Sequence, residues 1–292
     1  MTTTDPISLT GSPTVAPAAA ELPGGSRLSW AVKDTLALAK RNLLHYTRVP
    51  QLLVFTFVQP IMFVLLFRYV FGGSIPIPGL EYVDYLMPGI FVQTVVFGST
   101  ATAIGLAEDI GTGIVERFRS LPMTRFAVLA GRTAADLIRN TGVVFVMFVI
   151  GLLVGFRPDG GLPRIALALV LILGFAHALS WIFANVGLRA SNAEAAQAVS
   201  FPILFPLTFA SSAFVPVSNM PGWLQAFAWH QPVTIVVNAA RALMLGPESA
   251  AQLQAEGILR ASTLSYTLQS IAWIVGILAV FVPLAVRRFN RL

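Results

Sequence analysis

Charged residues are scarce in this sequence of 292 residues, of which only 11% are Asp, Glu, Lys or Arg. A soluble domain carries about a quarter charged residues, so these are too few to build a surface facing water. Cysteine is absent, which excludes a disulfide framework, a thiolate metal site and a cysteine nucleophile. Since 56% of the residues are hydrophobic and the mean hydropathy is +0.77, a soluble enzyme, a nucleic-acid-binding domain and a disordered chain are also excluded.

Energy-coupling chemistry is missing as well. Both lysines, Lys33 and Lys40, precede the first long apolar segment, and no GxxxxGK[ST] motif occurs, so the chain should not hydrolyse ATP through a P-loop. No histidine pair has HExxH spacing, no two carboxylates stand at catalytic spacing, and no acidic residue falls in the middle of an apolar segment. We therefore predict a chain that is not an enzyme and that holds no metal or cofactor.

His177 is the one ionisable residue near the centre of an apolar segment. Carriers driven by a proton gradient need an intramembrane ionisable site, so His177 keeps open the hypothesis of a proton-coupled drug carrier. A single histidine among small residues is more typical of a packed core, which is the interpretation that we favour.

Apolar runs dominate what is present, and most are long enough to cross a hydrocarbon core about 30 Å thick. We predict an all-α polytopic membrane protein with six transmembrane helices. Their approximate ranges are 51–71, 85–107, 140–156, 165–188, 198–214 and 268–286.

The basic residues predict the topology. Lys and Arg number 14 on the side of the two termini and four on the other, so both termini should lie in the cytoplasm of a plasma-membrane protein. Residues 1–28 are rich in small and polar residues and predict a disordered cytoplasmic tail. We take the excess of arginine over lysine as an effect of genome composition and expect a bacterial origin with a high-GC genome.

Residues 29–47 predict an amphipathic helix in front of the membrane domain, which spans 48–292. Leu36 and Leu43 share one apolar face, whereas Lys40 and Arg41 lie off it. Such a helix can lie flat on the membrane with its basic side towards anionic headgroups. An ordinary juxtamembrane helix is the alternative.

A second amphipathic helix is predicted between spans two and three, at about residues 112–122. Ile114, Phe118 and Leu121 share a face, and Pro122 ends the helix. The residues pointing elsewhere are Glu116, Arg117 and Arg119. The segment is either a docking surface for a soluble partner or a charged loop that sets the topology.

Residues 217–246 are too apolar for a loop and too interrupted for one span. Proline and glycine divide this segment into two short helices, predicted at 223–230 and 234–245, which fit re-entrant or external positions. Trp223 and Trp229 suit the membrane interface as amphipathic anchors.

Six motifs occur in order along residues 30–290: Tyr85-Leu-Met-Pro-Gly-Ile90, Glu116-Arg-Phe-Arg-Ser-Leu-Pro122, Ala130-Gly-Arg132, Phe214-Val-Pro-Val-Ser-Asn-Met-Pro-Gly-Trp223, His230-Gln-Pro-Val-Thr234 and Ala240-Arg-Ala-Leu243. Together they resemble one family of membrane proteins, the permease subunits of ABC-2 type transporters, and among them the daunorubicin-resistance (DrrB-type) permeases.

The resemblance implies a fold like that of type V exporters and a permease that moves a hydrophobic or amphipathic compound, such as a drug, antibiotic or lipid, out of the cytoplasm. It implies two copies of an ATP-binding-cassette ATPase, which would hold ATP and Mg²⁺, and a second permease, identical or homologous. By this likeness the N-terminal helix and Glu116, Arg117, Phe118, Arg119, Leu121 and Pro122 contact the ATPases. The segment that contains Pro221, Trp223, His230, Pro232 and Arg241 caps the outer end of the pathway.

Overall fold

The computed structural model describes residues 27–48, 50–120 and 125–291, with side chains for 32–44, 56–118 and 126–291. Most of the predicted tail, 1–28, and also Leu121 and Pro122 lie outside the described residues. The described residues form eleven α-helices: α1 Arg27–Arg48, α2 Pro50–Leu65, α3 Tyr82–Gly98, α4 Thr100–Gly111, α5 Ile114–Ser120, α6 Arg125–Val154, α7 Leu162–Gly187, α8 Ala193–Phe209, α9 Gly222–His230, α10 Pro232–Ala255 and α11 Thr263–Phe289.

Four helical stretches of the described chain are long and apolar enough to cross a membrane: Tyr82–Gly111, Phe126–Val154, Leu162–Gly187 and Thr263–Phe289. The first joins α3 and α4, which meet at Ser99 in a helical conformation. The two other predicted spans, at 51–71 and 198–214, contain shorter helices. The first contains α2 followed by a π-helical turn at Leu66–Phe71, and the second contains most of the 17-residue α8. The described chain thus supplies four long candidate spans where the sequence predicts six.

The third span starts earlier than the sequence predicts, at Phe126 rather than at residue 140. Charged residues are rare in membrane spans, so each of Arg132, Asp136 and Arg139 taken alone favours a loop. In the fold these charges neutralise one another, so a continuous helix can carry them.

Helix α7 is the centre of the bundle and contacts six other helices, α3, α4, α6, α8, α10 and α11. Small residues permit the closest approaches. A Cβ on Gly187 of α7 would lie 2.5 Å from the carbonyl oxygen of Ala103 on α4, so a larger residue there would separate the two helices.

The bundle has two ends. The α5 end contains α1, α5, the end of α4 and the α7–α8 connection, and the α9 end contains α9, α10 and the start of α3. Helix α10 breaks at Gly246, whose φ of 86° favours glycine. There the amide of Gly160 donates to the carbonyl of Met244 over 2.8 Å, which ties the α6–α7 connection to α10.

Candidate functional site

Arg241, on α10, is fully buried and holds three elements together at the α9 end. Its Nε donates to the carbonyl of Tyr85 over 3.0 Å and its Nη2 to the carbonyl of Ser212 over 2.7 Å. Its Nη1 donates to Oδ1 of Asn238 over 2.9 Å, and its Cζ lies 3.7 Å from the centre of the Tyr85 ring. Because the guanidinium has five donors in one plane, a single side chain can fasten several carbonyls at once.

The tyrosines of α3 reach the same connection between α8 and α9. The hydroxyl of Tyr85 donates to the carbonyl of Ser212 over 3.0 Å, and that of Tyr82 donates to the carbonyl of Phe214 over 2.8 Å. A Cβ on Gly89 would collide with the carbonyl oxygen of Ala213, so glycine allows this close approach. The motifs at 85–90 and 240–243 therefore meet residues 212–214, where the motif at 214–223 begins, in one buried cluster, which we call the Arg241 cluster.

The other predicted residues of the external segment are spread over its surface. Pro221 is exposed, Trp223 is 76% exposed, Pro232 is half-buried, and Nδ1 of the exposed His230 lies 2.8 Å from the carbonyl oxygen of Ala226. Only Arg241 among these predicted residues lies in the core, so the five do not form one site.

Trp229 differs from the prediction of an interface anchor. Its side chain is only 8% exposed, and Cζ of Arg260 lies 4.2 Å from its ring centre. This cation–π contact covers the ring, so Trp229 joins α9 to the α10–α11 connection.

At the α5 end, α1 packs along α6 through a face that the sequence identified only in part. Leu38, Ala39 and Asn42 are buried, whereas Leu36 is 62% exposed and Leu43 is half-buried. Leu36 of the predicted apolar face therefore points away from the bundle, whereas the nearby Ala39 points into it. A Cβ on Gly131 would lie 2.6 Å from Cβ of Leu38, so glycine permits the contact of the two helices.

Arg41 connects the two predicted amphipathic helices. Its Nη2 donates to Oδ1 of Asp109, at the end of α4, over 2.8 Å. Its Cζ lies 5.1 Å from the ring centre of Phe118 on α5. The structure therefore brings the N-terminal helix and α5 into one unit, whereas Lys40 is exposed on the outside of α1.

Within α5, the charged residues predicted for docking face outward. Glu116 and Arg117 are exposed, Phe118 is half-buried and Val115 is buried. The backbone of Arg119 belongs to the helix, but its side chain lies outside the described residues. Val115 is the inward anchor that the sequence analysis did not name.

A buried charge cluster lies behind this surface, and the sequence analysis missed its central carboxylate. Asp136 of α6 has no exposed surface, accepts a hydrogen bond from Oγ1 of Thr102, and lies 3.9 Å from Nε of Arg132 and 3.8 Å from Nη2 of Arg139. Arg132 also lies 3.9 Å from Asp109. Asp136 precedes the predicted segment at 140–156, but it lies within the longer helical stretch Phe126–Val154. Its spacing of three and four residues from two arginines was the available signal.

A continuous row of phenylalanine rings runs between α2 and α8 and ends at the α9 end. The rings of Phe97 and Phe205 lie 5.7 Å apart, those of Phe205 and Phe209 5.4 Å, and those of Phe209 and Phe214 5.4 Å. The ring of Phe214 lies 4.5 Å from that of Phe67. We call the row the phenylalanine strip, and its members are Phe63, Phe67, Phe71, Phe97, Phe201, Phe205, Phe209 and Phe214.

Much of the strip is accessible. Phe205 is 47% exposed and Phe209 41% exposed, and both line an open cavity of about 380 Å³ beside Leu224 of α9. The sequence signal was a repeat every four residues, at 63, 67 and 71 and again at 201, 205 and 209, which puts three rings on one helix face.

His177 has the surroundings of a packed residue. It is half-buried on α7, and its Nε2 accepts a hydrogen bond from Nε1 of Trp181 over 3.2 Å. The described residues contain no group of three or more His, Asp or Glu side chains close enough to hold a metal ion.

Comparison with known proteins identifies the family. Residues 33–245 match the family described as ABC-2 type transporter. The chain is 37% identical over 216 residues to the daunorubicin resistance ABC transporter permease protein DrrB1 of Streptomyces coeruleorubidus, a match that covers 74% of this chain and 76% of the relative.

Two further relatives are more distant. The chain is 29% identical over 218 residues to the probable doxorubicin resistance ABC transporter permease protein DrrC of Mycobacterium tuberculosis, over 74% of this chain and 78% of the relative. It is 26% identical over 161 residues to the probable multidrug ABC transporter permease YbhR of Escherichia coli, over 53% of this chain and 42% of the relative. With its long apolar helices and a match over most of its length, the chain belongs to the ABC-2 type transporter family of membrane permeases.

Proposed function

We propose that this chain is the membrane-spanning subunit of an exporter that moves a hydrophobic or amphipathic compound out of the cell with ATP hydrolysed by a partner. The match to drug-resistance permeases carries the proposal. The absence of a P-loop motif from the sequence agrees with it, because the chain must then take its energy from another protein. The assembly would contain two ATPase subunits, which hold ATP and Mg²⁺, and a second permease, identical or homologous.

The proposed topology has six spans and both termini in the cytoplasm, so the α5 end is the cytoplasmic end. The distribution of Lys and Arg supports this orientation. Helix α2 with its π-helical turn and helix α8 would serve as the two shorter spans. Helices α9 and α10 would then cap the outer end of the pathway.

The proposed docking surface for the ATPases is formed by α1 and α5. Exposed charges at Glu116 and Arg117 offer ion pairs to a soluble partner, and Arg41 links both helices to the end of α4. Movement of α5 would reach the transmembrane region through Asp109, Arg132 and Asp136, which join α4 to α6. A shift of this kind can convert an inward-open into an outward-open pathway.

The phenylalanine strip is the proposed contact surface for the transported compound. The exposed rings of Phe201, Phe205 and Phe209, with neighbouring centres 5.7 and 5.4 Å apart, offer stacking to a flat aromatic molecule at successive positions along α8. The names of two relatives contain daunorubicin and doxorubicin, which are aromatic compounds, and this supports an aromatic cargo for the chain.

Co-purification followed by reconstitution tests the proposed function. The tagged chain is extracted from its host in mild detergent, and mass spectrometry should find a stoichiometric ATPase that carries GxxxxGK[ST]. In proteoliposomes, ATP should drive transport only when the ATPase is present. Charge reversal by Glu116→Arg with Arg119→Glu should abolish ATP-driven transport without affecting membrane insertion.

The matched control reverses two exposed charges elsewhere, by Glu256→Lys with Arg164→Glu, and should transport normally. If the chain purified alone and transported its cargo with a proton gradient and without an ATPase, it would be the proton-coupled carrier instead. Full transport by the double variant Glu116→Arg with Arg119→Glu would contradict the proposed docking surface but not the proposed function.

A further inference from the structure

A crevice at the α5 end is not used by the proposed function. It lies between the end of α7, the first half of α8 and the end of α11, and has a volume of about 490 Å³. Cavities of this size hold small-molecule ligands. The lining residues that matter most are Asn185, Arg189, Val199, Ile203, Phe281 and Arg288.

The crevice is basic at one end and apolar along its length. Arg189 and Arg288 stand at the helix ends of α7 and α11, whereas Val199 and Ile203 lie further along α8. Ile203 follows Ala195 by eight positions, so the apolar wall is about 12 Å long, since a helix rises about 1.5 Å per residue. This polarity matches a molecule with an anionic head and an apolar chain.

The basic end is held in place by a buried asparagine. Nδ2 of Asn185 donates to the carbonyl of Trp181 over 2.8 Å and to that of Phe281 over 3.0 Å, which orients the amide. Its Oδ1 then accepts a hydrogen bond from Nη1 of Arg288 over 3.1 Å. Asn185 is 4% exposed, so this end of the crevice is a built site and not a random surface.

No carboxylate of the described residues lies within 4.0 Å of the two arginines, so neither Arg189 nor Arg288 forms an ion pair with a described carboxylate. Two guanidinium groups beside one cavity repel each other, and a bound anion would relieve that repulsion. Arginine prefers phosphate and carboxylate oxygens because its donors can pair with two of them.

We propose that this crevice binds an anionic phospholipid, with the phosphate between Arg189 and Arg288 and one acyl chain along Val199, Ile203 and Phe281. Val199 is 52% and Ile203 40% exposed, so the crevice opens sideways, where a lipid of the bilayer can enter. In the proposed topology this end faces the cytoplasmic leaflet, which is rich in anionic lipids. The inference rests on the proposed topology and not on the coupling of the chain to ATP.

Native mass spectrometry of the purified full chain tests the site with phosphatidylglycerol and phosphatidylcholine as probes. We expect phosphatidylglycerol to bind about tenfold more tightly, and Arg189→Gln with Arg288→Gln to remove that difference. Arg287→Gln is the matched control, because this exposed neighbour carries the same charge and does not line the crevice. Ile203→Trp should weaken binding of phosphatidylglycerol by filling the apolar part.

Further measurements make the proposal falsifiable. Arg189→Gln alone, at an exposed position, should weaken binding even if the double variant is unstable. Equal effects of the Arg189 and Arg287 variants would overturn the proposal, because general surface charge would then explain binding. Complete displacement of phosphatidylglycerol by millimolar glycerol phosphate would also overturn the proposal, because glycerol phosphate has no acyl chain. Release of the lipid on binding of a second permease would mark a protein interface instead.

Discussion

At the scale of single residues, Arg241 is the clearest case of a charge used for structure. It is fully buried, forms no ion pair with a described carboxylate, and satisfies its donors with carbonyls of Tyr85 and Ser212 and the amide of Asn238. These acceptors belong to three separate segments. The side chain therefore fixes how α3, α10 and the α8–α9 connection fit together.

Arg241→Lys should destabilise the protein although it keeps the charge. A lysine has one nitrogen and cannot reach three acceptors in one plane, and each buried acceptor without a donor costs about 1–3 kcal/mol. We expect the apparent Tm in detergent, measured by size-exclusion chromatography after heating, to fall by about 5 °C or more. Arg164→Lys, at an exposed position at the start of α7, is the control and should be neutral. An unchanged Tm for Arg241→Lys would show that the cluster contributes little to stability.

At the scale of helices, the contact between α1 and α6 depends on a glycine, which has no side chain. Gly131 of α6 meets Leu38, and a Cβ there would also lie 3.1 Å from the carbonyl oxygen of Thr35. Both contacts lie on the same side of α1, so a larger residue must push the whole helix outward. That side also carries Asn42, which is buried.

Gly131→Val should therefore detach α1 from α6. Because the chain has no cysteine, Arg41→Cys and Asp109→Cys can be introduced as a cross-linking pair without background. We expect a short bifunctional thiol reagent to join the pair in the parent chain and much less in the Gly131→Val variant. Gly142→Val on the same helix is the control, because a Cβ there meets nothing within 4 Å. Equal cross-linking in both variants would contradict the proposed packing role of Gly131.

At the scale of the whole molecule, the phenylalanine strip joins elements that are more than 100 residues apart. Phe63 and Phe67 of the α2 region contact Phe214, next to α8, with ring centres 5.5 and 4.5 Å apart. The strip has one buried ring, Phe214, and exposed rings along α8, so it can bind a flat apolar molecule without trapping it. The molecule thus has an aromatic surface that leads towards the α9 end.

Phe205→Ala should lower ATP-driven transport of a planar aromatic compound about fivefold, since loss of one stacking ring costs about 1 kcal/mol and enlarges the cavity beside Leu224. Transport of a fluorescent anthracycline into inside-out vesicles measures the effect. Phe145→Ala is the control, because Phe145 is 68% exposed on α6 and does not belong to the strip. Equal losses in both variants would mean that general surface hydrophobicity, and not the strip, governs transport.

Local patterns were sufficient for much of the fold. The short helix α5 was predicted at about 112–122, and the described residues Ile114–Ser120 are helical. Gly113, with a φ of 71°, precedes the helix. Local patterns failed for α6, where single charged residues indicated a loop up to residue 140. Pairing among Arg132, Asp136 and Arg139 could not be known from composition, since it depends on Thr102 and Asp109 of another helix.

By itself the sequence determined that this is a helical membrane protein and that it has no P-loop motif, because apolar runs and motifs are local properties of the chain. The tertiary structure alone decided which faces are buried. It joined Tyr85 to Arg241, Arg41 to Phe118 and Phe67 to Phe214. The reason is physical: such contacts depend on how whole helices pack, and the pattern along one helix does not reveal its neighbours.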